Sequence, residues 1–318
     1  MVDLALLGCG GGMPIPERYL SSLLISYKGR KILMDCGEGT QVSMKILGWG
    51  FKTIDVICIT HGHADHIMGL PGLLLTIGNS GRTDPITIIG PIGITDIVKG
   101  LMVVAPYLPY ELNIIENPQK SVKIKASLND NKNSTKTSDR EFNDLIISTL
   151  ELEHSTNCLG YSLYFNRKPK FDFQSAIKNE IPKKFWNRLQ KNEIIINNEK
   201  TYLPSMVLGK ERVGIKISLI TDTRPISKIK TFIKGSDLFV CEGTYGDEND
   251  IEKAIRNKHM TFSEAAKLAV DGEAKELLLT HFSPSMMIPE EYKDRAEDIF
   301  KNTFIGTDRN IQTLSFKD

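Results

Sequence analysis

Residues 60 to 66 read Thr-His-Gly-His-Ala-Asp-His, gathering three of the chain's six histidines and one aspartate into a single turn after an apolar run. Imidazole and carboxylate donors at this spacing can be shared between two adjacent divalent cations. Histidines that merely cap strand and helix ends are the bland alternative, but burying three together without a cation would demand many hydrogen bonds. Two cations need more donors than one turn carries. His154, Asp222 and His281 answer that need, each closing a β-like run: LIISTLELEH, IKISLITD and KELLLTH. A lone histidine after a strand is more often a satisfied polar group; beside the 60–66 turn the three read as further ligands.

Such donors must be held by buried strands, and the sequence supplies them. Short β-rich runs cover Leu4 to Leu7, Ser22 to Ser26, Arg30 to Asp35, Val56 to Thr60, Ile86 to Gly90, Leu145 to Glu151, Gly160 to Phe165, Ile215 to Thr221, Leu238 to Cys241 and Glu276 to Thr280. Helices are interleaved only in places, which predicts an α/β protein with mixed sheets. Thr40 to Leu47 reads as a short helix stopped by Gly48. Thr261 and Glu264 form a capping box before an Ala-rich helix to about Val270. Pro289 suits the first turn of a C-terminal helix reaching about Lys301. The polar stretch Asn129 to Asp144 reads as a hairpin tip or loop. Gly8, Gly10, Gly11 and Gly12 follow a strand, but Pro14 and Pro16 come next and no helix pattern begins, so a tight turn fits better than a dinucleotide fingerprint.

The chain has 318 residues, 41% of them apolar and 25% charged, enough to bury a sizeable core; length alone suits about two domains, although one large α/β sandwich can absorb it all, so the count stays open. Forty Lys and Arg against 39 Asp and Glu give a net charge of +1, which argues against a uniformly basic coat for nucleic acid. The charge is uneven. Asn166 to Arg212 holds eleven Lys or Arg against five Asp or Glu, a surplus of six, interspersed with Phe171, Phe173, Phe185, Trp186 and Tyr202; it reads as an inserted basic arm. The apolar stretch Met68 to Ile77 is broken by Gly69, Pro71 and Gly72 and is shorter than the roughly 20 residues of a membrane span. No export signal is visible at the N-terminus. Five scattered cysteines (Cys9, Cys36, Cys58, Cys158, Cys241) without a C-x-x-C pair fit a reducing cytoplasm and read as packed residues.

His-x-His-x-Asp-His with a downstream His, an Asp and a final His is similar to the metallo-β-lactamase superfamily. LGCGGGMP, DCGEGTQ (35 to 41), THGHADH, EHSTNCLGY (153 to 161), TDTRP (221 to 225), HMTFSEAA (259 to 266) and LTHFS (279 to 283) together resemble the ribonuclease Z family, endonucleases that mature tRNA 3′ ends. The resemblance spans almost the whole chain. It implies an αββα sandwich over 1–318 with 166–212 as the inserted arm and tRNA-binding exosite. It implies that His61, His63 and His154 hold one zinc, that Asp65, His66 and His281 hold the other, and that Asp222 bridges them, with manganese as the alternative metal. It also makes Asp35 an orienter of the ligands, Asp65 an orienter of the attacking hydroxide, and His259 with Glu242 the support for the leaving oxygen. A homodimer is implied in the same way.

Three departures from the family pattern stand out. Cys241-Glu242-Gly243-Thr244 replaces the frequent His-Glu-Ala-Thr, Pro284-Ser285-Met286 follows LTHFS in place of Arg-Tyr, and Pro182-Lys183-Lys184-Phe185-Trp186-Asn187 replaces the arm's Gly-Pro element. The expected function is zinc-dependent removal of 3′ trailers from precursor tRNA, with Phe185 or Trp186 either against a ribose or base or packed within the arm. A related phosphodiesterase of small or cyclic nucleotides is the alternative, and an RNA-binding protein with a structural metal is the non-enzymatic one.

Overall fold

The computed structural model describes residues 1–124, 145–197 and 200–317, so the expected polar loop Asn129 to Asp144 lies outside the described residues. The chain divides into two compact units, Met1–Tyr164 with Ile215–Ser315 and Phe165–Gly214 with Phe316–Asp318.

The first part of the chain forms β1 (Val2–Gly8), β2 (Ser22–Tyr27), β3 (Arg30–Met34), α1 (Thr40–Leu47), β4 (Ile54–Cys58), α2 (Ala64–Ile67), α3 (Leu70–Asn79), β5 (Ile86–Gly90), α4 (Ile94–Leu101) and β6 (Leu112–Glu116). Next come β7 (Val122–Lys123), β8 (Leu145–Glu151) and β9 (Leu159–Arg167), followed by α5 (Phe173–Lys178), α6 (Lys183–Gln190), β10 (Ile195–Asn197) and β11 (Lys200–Tyr202). The remainder contributes β12 (Arg212–Ile220), α7 (Ser227–Phe232), β13 (Leu238–Glu242), α8 (Ile251–Asn257), α9 (Phe262–Asp271), β14 (Leu277–Thr280), α10 (Lys293–Glu297), β15 (Thr303–Ile305) and β16 (Ile311–Leu314).

Two seven-stranded sheets result, ordered β16-β1-β2-β3-β4-β5-β6 and β15-β14-β13-β12-β9-β8-β7. β1, β2 and β3 run antiparallel, joined between β2 and β3 by Lys28 and Gly29, whose φ of 51° and 78° suit a two-residue hairpin turn. β3 to β6 are parallel, as are β12 to β15. Every residue of β4 is buried, as expected for a strand covered on both faces. Met44 of α1, Leu70, Leu73, Leu74 and Ile77 of α3, and Ile94 and Val98 of α4 pack on one face of the first sheet. On its other side the Tyr161 hydroxyl of β9 donates to the Ile59 carbonyl (2.7 Å), with that of Ile89 also within reach (3.1 Å), joining the two sheets. α9 covers β13 and β14 through Phe262, Ala265, Ala266 and Ala269. The layers are therefore helix, sheet, sheet, helix.

Local signals explain the helix ends. Gly48, at φ 70°, sends its N–H to the carbonyls of Met44 and Lys45 and ends α1. The Thr261–Glu264 capping box forms at the start of α9. The stretch whose glycines and proline obscured its character becomes α3, with Pro71 in the first turn where no N–H is needed. The C-terminal helix is shorter than expected: a 3₁₀ turn, Pro289–Tyr292, leads into α10, which ends at Glu297. There the chain must turn into β15, and the Thr303 hydroxyl donates to the Phe300 carbonyl (2.6 Å). Among the described residues no helix is long and apolar enough to cross a membrane. All five cysteines are buried and unpaired.

The second unit has a small core of its own, made of Ala176, Ile181, Phe185, Leu189, Ile195, Tyr202 and Val207. Phe185 is only 7% exposed, so it packs the arm and is closed to a base or ribose. Trp186 is half-buried, with its ring nitrogen donating to the Ile181 carbonyl (2.8 Å) and its ring beside Phe171 and Phe173. Lys183 and Lys184, by contrast, are exposed.

Candidate metal centre

The polar ends of the parallel strands converge on one place. Asp35 follows β3, the 60–66 turn follows β4, Asp222 follows β12, Glu242 ends β13 and His281 follows β14. Asp35, Asp222 and His281 adopt φ of 57°, 50° and 60°, a left-handed conformation uncommon outside glycine. Each strand is thus turned sharply where its side chain enters the site, a placement common where structure serves chemistry.

His61, His63, His154 and Asp222 present donor atoms all within 4.8 Å of one another, and Asp65, His66 and His281 do the same. In the first group His154 Nε2 lies 3.2 Å from His63 Nδ1; in the second His66 Nε2 lies 3.1 Å from His281 Nε2. Two nitrogens bound to one tetrahedral zinc at about 2.0–2.1 Å would be separated by roughly 3.3 Å, so these spacings suit a shared cation. Asp222 faces both groups. Its Oδ2 is 3.7 Å from His61 Nε2 and 3.8 Å from His154 Nε2, while its Oδ1 is 3.3 Å from His66 Nε2 and 3.2 Å from His281 Nε2. Asp65 Oδ2 lies 3.5 Å from His66 Nε2 and 3.4 Å from His281 Nε2.

One observation tests the fit of a metal directly. His61 Nε2 is buried without a hydrogen-bond partner, a costly state for a ring nitrogen unless a cation takes its lone pair. The ring electrostatics are mixed: burial lowers the His61 pKa, whereas the Asp222 and Asp35 carboxylates overcome burial at His66 and raise its pKa. Burial opposes ionisation of Asp222 and Asp65, but the surrounding histidines overcome it and hold both carboxyls well below the usual range.

The other ring nitrogens are occupied. His66 Nδ1 meets Asp35 Oδ2 at 2.8 Å, His154 Nδ1 meets the Lys258 carbonyl at 3.3 Å, His61 Nδ1 meets Thr60 Oγ1 at 3.1 Å and His281 Nδ1 meets Thr244 Oγ1 at 3.0 Å. Asp35 also takes the Thr60 N–H on Oδ1 (2.7 Å). Such partners fix the rotation of a ligating ring.

His259 joins the cluster and is not the solvent-facing histidine its surroundings in sequence allow. Its side chain is 14% exposed, and Nδ1 lies 3.1 Å from Glu242 Oε2 and 3.9 Å from Asp222 Oδ2. Burial disfavours the charged ring, yet the Glu242 carboxylate outweighs it and raises the His259 pKa to about 9. Glu242 is fully buried and accepts from the N–H groups of Thr223 (2.7 Å) and Met260 (3.0 Å). Arg224, paired with Glu264, also donates to the His259 carbonyl and ties the loop down.

The residues that sequence reasoning passed over lie around these candidate ligands. Gly12 N–H donates to Asp65 Oδ2 at 2.7 Å. A Cβ on Gly11 would stand 2.4 Å from the His281 ring, so the glycine turn exists to admit that imidazole. Thr60 and Thr244 were equally silent, because a threonine at a strand end carries no distinctive spacing.

With this geometry established, comparison with known proteins adds three findings. Residues 2–207 match the family model described as Anti-Pycsar protein Apyc1. Curated relatives named Ribonuclease Z include one from Clostridium beijerinckii, 58% identical over 100% of both chains, and one from Clostridioides difficile, 57% identical over 100% of both. Among solved structures, the short form of human tRNase Z aligns with a TM-score of 0.65 at 23% identity, covering 99% of this chain and 100% of that one. The metallo-β-lactamase fold protein YhfI from Bacillus subtilis aligns at 0.65 and 16%, covering 98% and 100%. These structural likenesses establish the metallo-β-lactamase fold.

Proposed function

Because the chain belongs to the ribonuclease Z family, and over residues 2–207 to the family described as Anti-Pycsar protein Apyc1, we propose that it is a tRNA 3′-processing endoribonuclease that removes the trailer from precursor tRNA. The observation that carries the reading is Asp222, whose two oxygens face two separate groups of histidines with the His259–Glu242 pair alongside. In this reading His61, His63 and His154 would hold one ion and Asp65, His66 and His281 a second, with Asp222 available to both. The ions, two zinc with manganese as the alternative, would supply Lewis acidity toward the scissile phosphate and a water acidic near neutral pH.

The chain's own groups do the rest. Asp65, fixed by the Gly12 N–H, orients the attacking water. Glu242 holds His259 by Nδ1 and leaves Nε2 to give a proton to the departing 3′ oxygen. The exposed lysines of the arm neutralise phosphates of the tRNA. Val42 and Ile46 on α1, Met68 at the end of α2 and Leu75 of α3 expose apolar surface that supports a homodimer. The five buried thiols support a cytoplasmic setting.

Metal-replete protein should be compared on a precursor tRNA with a 3′ trailer and on a small chromogenic phosphodiester. The precursor should be cut with the far higher kcat/KM. Turnover of the small ester with none of the precursor would favour instead a phosphodiesterase of small or cyclic nucleotides.

A further inference from the structure

Two buried carboxylates beside the ligand set, Asp35 and Glu242, each hold one imidazole directly and a second through a threonine. Asp35 Oδ2 takes His66 Nδ1 directly at 2.8 Å and the Thr60 hydroxyl at 2.8 Å, and Thr60 Oγ1 in turn lies 3.1 Å from His61 Nδ1. Glu242 Oε2 takes His259 Nδ1 directly at 3.1 Å and the Thr244 hydroxyl at 2.7 Å, and Thr244 Oγ1 lies 3.0 Å from His281 Nδ1. The same carboxylate–hydroxyl–imidazole chain is thus built at the end of each sheet. All four members that hold the rings, Asp35, Thr60, Glu242 and Thr244, are at least nine-tenths buried, so water does not substitute for them.

A hydroxyl has one proton. An ionised carboxylate can only accept, so the threonine must donate to it and can then only accept from the imidazole. The ring is forced to carry its proton on Nδ1, which leaves the Nε2 lone pair facing the cluster. We propose that Thr60 and Thr244 are positioning residues that impose the metal-binding tautomer on His61 and His281, so that Glu242 serves the second metal position as well as the proton donor His259. The inference rests on the ligand set given above and goes beyond it: Glu242 touches no ligand atom of that position, yet metal affinity depends on it.

The test is metal affinity, measured by titrating metal-loaded protein with a competing chelator. Thr244→Val keeps the shape and removes the hydroxyl. It should weaken one of two bound ions by about 10- to 100-fold, the usual cost of losing such a partner, and Thr244→Ser should restore it. Glu242→Gln makes the same point without touching threonine. Both Glu242 oxygens face N–H or O–H donors, so an amide must set its NH₂ against one of them. An amide that turns its NH₂ toward Thr244 reverses that hydroxyl and should lower affinity for one ion with Thr244→Val; if the valine variant does not fold, Thr244→Ala, which also removes the hydroxyl, decides in its place. Thr60→Val should weaken the other ion. Wild-type affinity for both ions in Glu242→Gln and Thr244→Val would overturn the relay while leaving the ligand set intact. Fewer than two ions on the parent protein would instead bring down the ligand set, and the relay with it.

Discussion

In the proposed mechanism His259 serves proton transfer while its neighbours in the same cluster serve metal binding. It stacks on His281 with ring centroids 5.4 Å apart and lies 5.3 Å from the His154 ring, yet its nearest charged partner is Glu242. His259→Ala should therefore keep its metal and lose roughly 10²–10⁴ in kcat on RNA, the ordinary worth of a general acid. On an activated ester, whose leaving group needs no proton, the loss should be much smaller. Equal losses on both substrates, with metal content unchanged, would take His259 out of the leaving-group role. The clustering of the His and Asp side chains was legible because the 60–66 turn packs four of them together and the others end apolar runs. The strand-end conformations of Asp35, Asp222 and His281 were not legible. A left-handed φ at a non-glycine residue is imposed by tertiary contacts, and nothing in residue type marks it.

At the scale of elements, the site depends on turns that bring strand ends together. The glycine turn after β1 is the tightest example: Gly11 N–H donates to the Phe282 carbonyl (3.0 Å), and the neighbouring Asp308 carboxylate takes the N–H groups of Cys9 (3.0 Å) and Tyr19 (2.7 Å). Gly11→Ala would place a methyl against the His281 ring. The ring must shift, so the variant should fold but lose about 10- to 100-fold in affinity for one of two ions, as read by chelator titration. Retention of both affinities would show that the turn yields and that the glycine is there for another reason. Strands with strong apolar character, such as β4, and helices with plain stop signals, such as α1, could be read from sequence to within a residue or two. α3 could not, since Gly69, Pro71 and Gly72 mask a helix that tolerates proline in its first turn. α10 was overextended because its pattern continues while the chain must turn into β15. Phe185 was ambiguous in sequence, and the small core of the arm resolves it.

Across the whole molecule, charge is distributed against expectation for an RNA enzyme. The chain carries +1 and the segment 166–212 a surplus of six, so the remaining residues sum to −5. Long-range attraction of a polyanion must then come largely from the arm. Each phosphate neutralised contributes roughly −0.7 to −0.9 to the slope of log K against log salt. Replacing the exposed Lys183 and Lys184 together by alanine should flatten that slope by about 1.5 and raise KM for precursor tRNA, while hydrolysis of a small phosphodiester stays unchanged. An unaltered slope would show that RNA is held elsewhere.

The chemistry assigned to the site also dictates the products. Attack by water at phosphorus with proton delivery to the 3′ oxygen leaves a 3′ hydroxyl on the tRNA and a 5′ phosphate on the trailer. Incubating the metal-replete protein with a trailer-bearing precursor tRNA and mapping both new ends tests that chemistry. One cut on the 3′ side of the acceptor stem with those two termini is expected, abolished by chelation and restored by added zinc or manganese. A cyclic or terminal phosphate on the tRNA fragment, scattered cuts in single-stranded regions, or no cut with both ions bound would contradict it.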